Sequence, residues 1–463
     1  MTRKDFITRL SALFGAVSLP SVAQAAVNGD SLKGDSGKRG DVARNVLSDL
    51  TEARHKARWR FRRIICNNDG NDVILSEGEI VSREMFLAKR TTGLVGSQVD
   101  TVCYCTGITF GGHHQGRNQL IQQRFGMARC SRELSRLGTD PLQLMVDYCH
   151  QHGIELFWSH RMNDMHDARP TPELMTDFKK EHPEYLMGGE KAPMCYNYAI
   201  PQVREKLLEC CGEVIRNYDV DGIELDWFRH LFLFKSVVDG GVASDEEREM
   251  IHDMMRKLRS LMDQEGLRRS RPLLLAVRIP DSREYARQVG LDYEQWLKED
   301  LVDLLIVGDY IKLEPWVNFP KFAAQYNVPA YASMEQRRLS LMDLTPESKT
   351  MPKGDEGTVR DRFRSEAYAA WLSGMNGIHT YNLFNPQDEL FRQIGDPRVL
   401  AEMGVVPRES YSLSEFKKGG LYNMAGFWLK GGNRYLKVPQ EKKYIRPAGP
   451  AWPDSDSARD GKP

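Results

Sequence analysis

The run Asp219-Val220-Asp221-Gly222-Ile223-Glu224-Leu225-Asp226-Trp227-Phe228-Arg229-His230 alternates apolar with acidic residues and ends in aromatic and basic ones. At the two-residue period of a strand, Ile223 and Leu225 face one way and Glu224 and Asp226 the other. Inward carboxylates on a strand that opens onto a polar turn suit the active face of a parallel α/β barrel, where reacting groups stand at the carboxyl ends of strands. Two carboxyl groups on facing strands can break an acetal C–O bond: one protonates the leaving oxygen while the other attacks carbon or activates water. Asp226 is the first choice for nucleophile or base. Asp309 and Glu335, at the ends of later strand-like segments, are the candidates for its acid partner. Glu224 lies about 6 to 7 Å deeper on the same face. It is expected to orient Asp226 or to pair with Arg278, whose inward guanidinium would keep nearby carboxylates ionised. Asp221, ahead of Gly222 at the start of the strand, reads as structural.

The remaining strand ends are polar and supply the candidates for substrate contact. They are Asn68 and Asp69 after the first strand, His160, Arg161, Asn163 and Asp164 after the third, and Glu224, Trp227, Arg229 and His230 around the fourth. Arg278 ends the fifth, and Tyr381 and Asn382 end the eighth. Trp158, Trp227, Trp316 and Tyr381 have rings on which the CH-rich face of a sugar packs well. The loop after the second strand adds His113 and His114. His160, Asp164, His166 and Asp167 form the one cluster with metal-ligand residue types, but their spacing fits no standard motif, so no metal and no cofactor is expected. Asn67-Asn68-Asp69-Gly70-Asn71-Asp72 is rich in oxygen donors but lacks the twelve-residue loop with a closing Glu, and reads as a hydrogen-bonding turn. The eight cysteines include no zinc-like spacing.

These residues need a scaffold that brings strand ends together. Eight apolar, strand-like segments fall at Arg63 to Asn67, Val99 to Thr106, Ile154 to Ser159, Gly222 to Trp227, Leu273 to Arg278, Val302 to Val307, Ala330 to Ser333 and Gly377 to Asn382. Amphipathic stretches separate them, among them Asp140 to His152, Pro201 to Tyr218, Asp245 to Gln264, Tyr293 to Glu299 and Val359 to Ser373. Turns such as His152-Gly153 and Asn376-Gly377 punctuate helix to strand. Strand-helix alternation repeated eight times predicts an α/β protein with a closed (β/α)8 TIM barrel, in preference to an open doubly wound sheet.

The 463 residues divide, on this reading, into a signal peptide at 1–26, a linker and lead-in at 27–57, and the catalytic barrel at 58–404. A short β-rich hairpin extension at 405–446 and a disordered tail at 447–463 follow. The basic start, the apolar run Leu10 to Val22 and the small residues of Ala23-Gln24-Ala25-Ala26 make an export signal, by a general or twin-arginine-like route, to the periplasm or beyond. A basic helix containing Arg58-Trp59-Arg60-Phe61-Arg62-Arg63 is expected to lead into the barrel. The 64 basic and 64 acidic residues cancel, with no sustained basic stripe, which argues against nucleic acid and anionic membranes as partners. No stretch is long enough to anchor the chain in a bilayer.

Asp221-Gly222-Ile223-Glu224-Leu225-Asp226-Trp227 is similar to the Asp-Gly-x-Asp-x-Asp-x-Glu signature of family 18 chitinases, but Phe228 stands where their proton-donating Glu does. That departure speaks against substrate-assisted chitinase chemistry. The closer resemblance is to the glycoside hydrolase-like family 10 group, exported bacterial barrels in which a Tyr-x-Val-Asp-Gly-Ile strand, here Tyr218 to Ile223, leads to acidic residues. The resemblance extends from about Arg63 to Asn385 and implies hydrolysis of a carbohydrate without naming the sugar. By fold-level analogy with retaining α-galactosidase-like barrels, which end strand four in a nucleophilic Asp and strand six in an acidic one, the pair falls on Asp226 and Asp309. The expectation is therefore an exported glycoside hydrolase acting on an oligo- or polysaccharide through a carboxylate pair. Two alternatives stand beside it. One is a metal-dependent hydrolase or lyase using His160, Asp164, His166 and His230; the other is a barrel that binds carbohydrate without cleaving it.

Overall fold

Runs of Ile, Leu, Val and Cys with no polar face left for water form strands covered on both sides. The computed structural model describes residues 36–411 apart from 108, 112–126, 169–174, 190–191, 239–240 and 341–355. Its strands are β1 (Ile64–Asn68), β2 (Val99–Cys105), β3 (Glu155–Arg161), β4 (Gly222–Asp226), β5 (Leu274–Ile279), β6 (Leu304–Val307), β7 (Ala330–Glu335) and β8 (Gly377–Tyr381). All eight pair in parallel with their sequence neighbours, and β8 pairs back onto β1 to close the barrel. The expected (β/α)8 barrel is thus the fold, with strand limits within three residues of those read from the sequence.

Helices cover the outside. They include α1 (Ser36–Arg58), α2 (Pro141–Gln151), α3 (Pro201–Asn217), α4 (Asp245–Arg269) and α5 (Glu356–Leu372). Asp140 caps α2 by accepting from the Gln143 backbone N–H, and Ser244 opens α4 with a reciprocal capping box to Glu247. An excursion between β3 and β4 adds an antiparallel pair, Leu186–Gly188 with Ala192–Tyr196, which the sequence reading did not foresee.

The lead-in differs from expectation. The helix begins at Ser36 and ends at Arg58, the first residue of the basic run, rather than continuing through it. The reason is Arg62, which turns back under the helix end. Its guanidinium donates to the carbonyls of Ala57, Arg58 and Arg60 and to both oxygens of Glu155 on β3, satisfying acceptors that a helix end leaves open. Arg54 and Arg58 of α1, with Arg259 of α4, converge on the buried Asp303 at the start of β6, which ties α1 across the bottom of the barrel. The expected signal peptide, the hairpins of the extension beyond 411 and the tail lie outside the described residues, as do His113 and His114. The eight cysteines are free thiols, all buried.

Inside the barrel Ile65, Cys103, Phe157, Leu274, Ala276, Leu304, Ile306 and Tyr331 make an apolar plug. Below it Arg62, Glu155 and Thr101 form a buried polar cluster, and the polar side chains of the strand ends lie above it. Gly222 sets the close packing of β4 on its neighbours: a Cβ there would meet Leu274 O at 2.3 Å and the Phe157 ring at 2.8 Å. Gly222→Ala should therefore destabilise the fold by about 1–3 kcal/mol, read as a lower midpoint in chemical denaturation, whereas Gly78→Ala, with nothing within 4 Å but a φ of 74°, should show only the smaller backbone cost.

Candidate active site

The strand register sets which side chains share a level. Asp226 on β4 is level with Arg161 on β3 and with Arg278 on β5, and Glu335 on β7 is level with Tyr381 on β8. One layer deeper, Glu224 is level with Ser159, and Ser333 with His379. β6 is short, and the chain leaves it through Gly308 at φ 80° and Asp309 at φ 142°. A Cβ on Gly308 would lie 2.9 Å from the Trp316 ring, so only glycine permits the turn that aims Asp309 inward. A non-glycine residue at such a φ is strained, and such strain gathers at functional sites.

Arg278 joins the two aspartates. Its Nη2 lies 2.6 Å from Asp226 Oδ2 and its Nη1 contacts Asp309 Oδ2. The Nη2 contact is short but poorly aligned as a hydrogen bond, so it acts chiefly through charge. Asp226 Oδ1 accepts from the Phe228 backbone N–H at 3.1 Å, and Asp309 Oδ1 lies 3.2 Å from Ser333 Oγ. The face of Tyr381 sits 4.1 Å from the guanidinium carbon. All of these groups are buried, Asp226 at 1% exposure and Asp309 and Arg278 at 0%. Burial pushes the Asp309 carboxyl up to about 7; Glu335 and Asp226 add to the rise, and Arg278 opposes it.

Glu335 stands beside them with both oxygens tied to protein. Oε2 accepts from the Arg338 backbone N–H at 2.7 Å and Oε1 from Asn382 Nδ2 at 2.6 Å. Asn382 holds a φ of 58° to reach it. Glu224 does not pair with Arg278 as expected. It points across the interior to β1 and β8, accepting from Asn67 Nδ2 at 2.9 Å and facing His379 Nε2 at 3.2 Å. His379 and Ser333 are the site residues the sequence reading missed, although their even spacing from Tyr381 and Glu335 marked them as inward.

The other candidates divide into a rim and a frame. In the rim, Arg229 donates to Tyr310 Oη and reaches His166 Nε2 at 3.0 Å, while His166 Nδ1 lies 2.5 Å from Asp164. Arg161 donates to the other Asp164 oxygen at 3.0 Å and lies 3.9 Å from Asp69, which also pairs with Arg90. Burial works against ionisation of Asp164, but His166 and Arg161 hold it well below the usual carboxylate range. Burial pushes His230 down to about 3, leaving it neutral. Asn163 belongs to the frame: its amide is spent on the backbone of Tyr196 and Phe232. Asn68 likewise holds Gly70 and Asp72. His160 sits between the rings of Phe110 and Trp158.

Trp227 is not a sugar platform. It packs at 0% exposure against Trp296 and Tyr198 on the outer side of the barrel, and Trp158, Trp316 and Tyr381 are buried as well. The large aromatic left open after β8 is Phe384, 38% exposed with the Arg90 guanidinium 4.1 Å over its ring. Among the described residues no three His, Cys, Asp or Glu side chains group as a metal site, and no helix is long and apolar enough to cross a membrane. Asp221 serves structure, binding the Leu156 backbone N–H, His150 and Arg271.

The sequence profile of the family described as glycosyl hydrolase-like 10 matches residues 121–237, which include β3 and β4. No curated protein matches the chain in sequence. Among solved structures, the catalytic domain of psychrophilic chitinase B from Arthrobacter TAD20 is similar at TM-score 0.43 and 11% identity, over 77% of this chain and 98% of that one. The PgaB (BpsB) glycoside hydrolase domain from Bordetella bronchiseptica is similar at TM-score 0.42 and 11% identity, over 76% and 100%. α-L-Fucosidase isoenzyme 2 from Paenibacillus thiaminolyticus gives TM-score 0.42 and 13% identity over 74% of this chain and 49% of that one, so this chain spans about half its length.

A carboxyl group held at about 7 when folded, against an ordinary value near 3.9, makes stability depend on pH. The folded form keeps the Asp309 proton more tightly, so this contribution is complete below about pH 4, declines as pH rises toward 7 and is flat above. The stability of the native protein minus that of Asp309→Asn, from denaturant unfolding at a series of pH values, should fall across that window by up to roughly 4 kcal/mol. A difference that rises with pH would show an ionised Asp309.

Proposed function

We propose, with the family match over residues 121–237 as premise, that the chain is an exported glycoside hydrolase. Asp226 is its nucleophile and Asp309 its general acid. The observation that carries this reading is a single guanidinium held by two buried carboxylates of which one, Asp309, is pushed up to about 7. Separated protonation states on neighbouring carboxylates are what the two roles require. Glu335, with both oxygens engaged by protein donors, is the less suited partner.

In the first step an Asp226 carboxylate oxygen attacks the anomeric carbon, the glycosidic C–O bond breaks, and the Asp309 proton passes to the leaving oxygen. In the second, the Asp309 carboxylate takes a proton from water, the resulting hydroxide attacks the same carbon, and the bond to Asp226 breaks. One guanidinium contacting both carboxylates favours the short separation of retaining enzymes, about 5 to 5.5 Å, over the 6.5 to 9.5 Å that leaves room for an attacking water. The N-terminal basic and apolar run supports export, and an oligo- or polysaccharide is the partner. Access runs past Arg229, Tyr310 and His166, which are partly open to solvent where the aspartates are not.

Asp226→Asn should abolish hydrolysis in a screen of oligosaccharides on which the native protein turns over. Asp309→Asn should lose roughly 10²–10⁴-fold in kcat/KM, much less on an aryl glycoside whose leaving group needs no proton. Proton NMR of the fresh product should show the substrate's anomeric configuration. An intact Asp226→Asn enzyme, or inverted product, would sink the assignment.

A further inference from the structure

The proposed reaction leaves unused a line of polar side chains crossing the barrel interior. Glu224 on β4, His379 on β8 and Ser333 on β7 are each at 0% exposure. Asn67 Nδ2 donates to Glu224 Oε2 at 2.9 Å, and Glu224 Oε1 faces His379 Nε2 at 3.2 Å. His379 Nδ1 lies 2.8 Å from Ser333 Oγ, which lies 3.2 Å from Asp309 Oδ1. The Glu224–His379 contact is bent away from hydrogen-bond alignment, so its force is electrostatic.

Counting hydrogens orients the line. An ionised Glu224 offers only lone pairs, so the imidazole presents N–H at Nε2, and a neutral ring then has a bare Nδ1. Ser333 has one hydrogen, which that nitrogen claims. In that arrangement the hydrogen between Ser333 and Asp309 comes from Asp309 as a carboxylic acid; with Asp309 ionised, the Ser333 hydroxyl donates to Asp309 Oδ1 instead. Moving one proton reverses the line: the Asp309 O–H bond breaks as Ser333 Oγ gains hydrogen, and Ser333 passes its own hydrogen to His379 Nδ1. The result is an aspartate and an imidazolium, with no change in total protons or electrons.

We propose that Glu224, His379 and Ser333 are positioning residues that form a one-proton relay and keep that proton on Asp309 between turnovers. The proposal rests on Asp309 as the general acid. Its resting state is set by burial, because the form with neutral Asp309 and neutral His379 places no charge on either. Asp309 faces Arg278 from β5, Asp226 from β4, Glu335 and Ser333 from β7, Arg338 from the helix Gln336–Ser340, and Tyr310 beside it. His379 faces Glu224 and Asp226 from β4, Arg278 from β5 and Ser333 from β7. The two further carboxylates beside Asp309 favour its protonation; Arg278 and Arg338 oppose it. At His379, burial outweighs Glu224 and lowers the ring below its ordinary value.

The test is the titration of Asp309 in the intact protein, followed by the infrared carbonyl band of a protonated carboxyl group and assigned by its loss in Asp309→Asn. Ser333→Ala removes the acceptor of the acid's hydrogen, so the band's midpoint should fall by roughly half to one pH unit. Ser333→Thr, which keeps the hydroxyl, should restore it. The basic limb of kcat/KM should move in step, whereas a merely structural serine would change activity or stability without moving the limb. An unchanged midpoint in Ser333→Ala, or an equal fall in Ser333→Thr, overturns the relay. A protein that shows the infrared shift yet cleaves no glycoside overturns the hydrolase reading and leaves the proton line standing.

Discussion

The mouth of this barrel depends on one buried guanidinium. Arg278 is fully enclosed between Asp226 and Asp309 with the Tyr381 face against it. Removing an ion from water costs several kcal/mol even after relaxation, and only close opposite charge offsets it. One guanidinium between two carboxylates leaves a surplus negative charge in a low-dielectric interior, and Glu335 lies close enough to add to it. A proton on one aspartate relieves the excess. It falls on Asp309, whose carboxyl is pushed up first by burial and then by Glu335 and Asp226 facing it, against the pull of Arg278.

The fold brings these charges together by layering. An apolar plug fills the middle of the barrel with the Arg62–Glu155–Thr101 cluster beneath it, and above it the register puts Asp226 and Arg278 at one height on adjacent strands. Asp309 joins them by a different route, because β6 has ended and the strained turn at Gly308 and Asp309 swings the carboxylate inward. Loops alone would not hold that geometry. Arg338 helps fix it, donating to the Asp309 carbonyl at 2.7 Å while pairing with Glu366 of α5.

Much of this was legible in the sequence because each strand is a short apolar run bounded by turn residues, and because inward residues follow a period of two. The same period had more to say than was first read from it. Trp227 shares the parity of Ile223 and Leu225 and so belongs outside, packed on Trp296; Ser333 and His379 share the parity of Glu335 and Tyr381 and so belong inside. The partner of Glu224 was not legible. Alternation gives depth along a strand, but not which residue of the opposite wall comes within reach, and Glu224 crosses to β1 and β8 rather than to its neighbour β5. The limits of α1 were hidden for a similar reason, since the arginine that closes its end finds its carboxylate on β3.

Floor and rim are held by forces of different size. The floor is held by buried opposite charges, Arg278 against Asp226 and Arg338 against Glu366, and breaking either pair leaves a buried charge unpaired at a cost of roughly 3–5 kcal/mol. The rim over it combines the Asp164 ion pairs with aromatic contacts. Tyr310 stacks on Phe228 at 6.1 Å and meets Tyr381 edge-on at 5.7 Å, with Arg229 donating to its hydroxyl. Aromatic pairs of this kind are worth about 0.5–1.5 kcal/mol each. The charged floor is therefore costlier to disturb than these aromatic contacts.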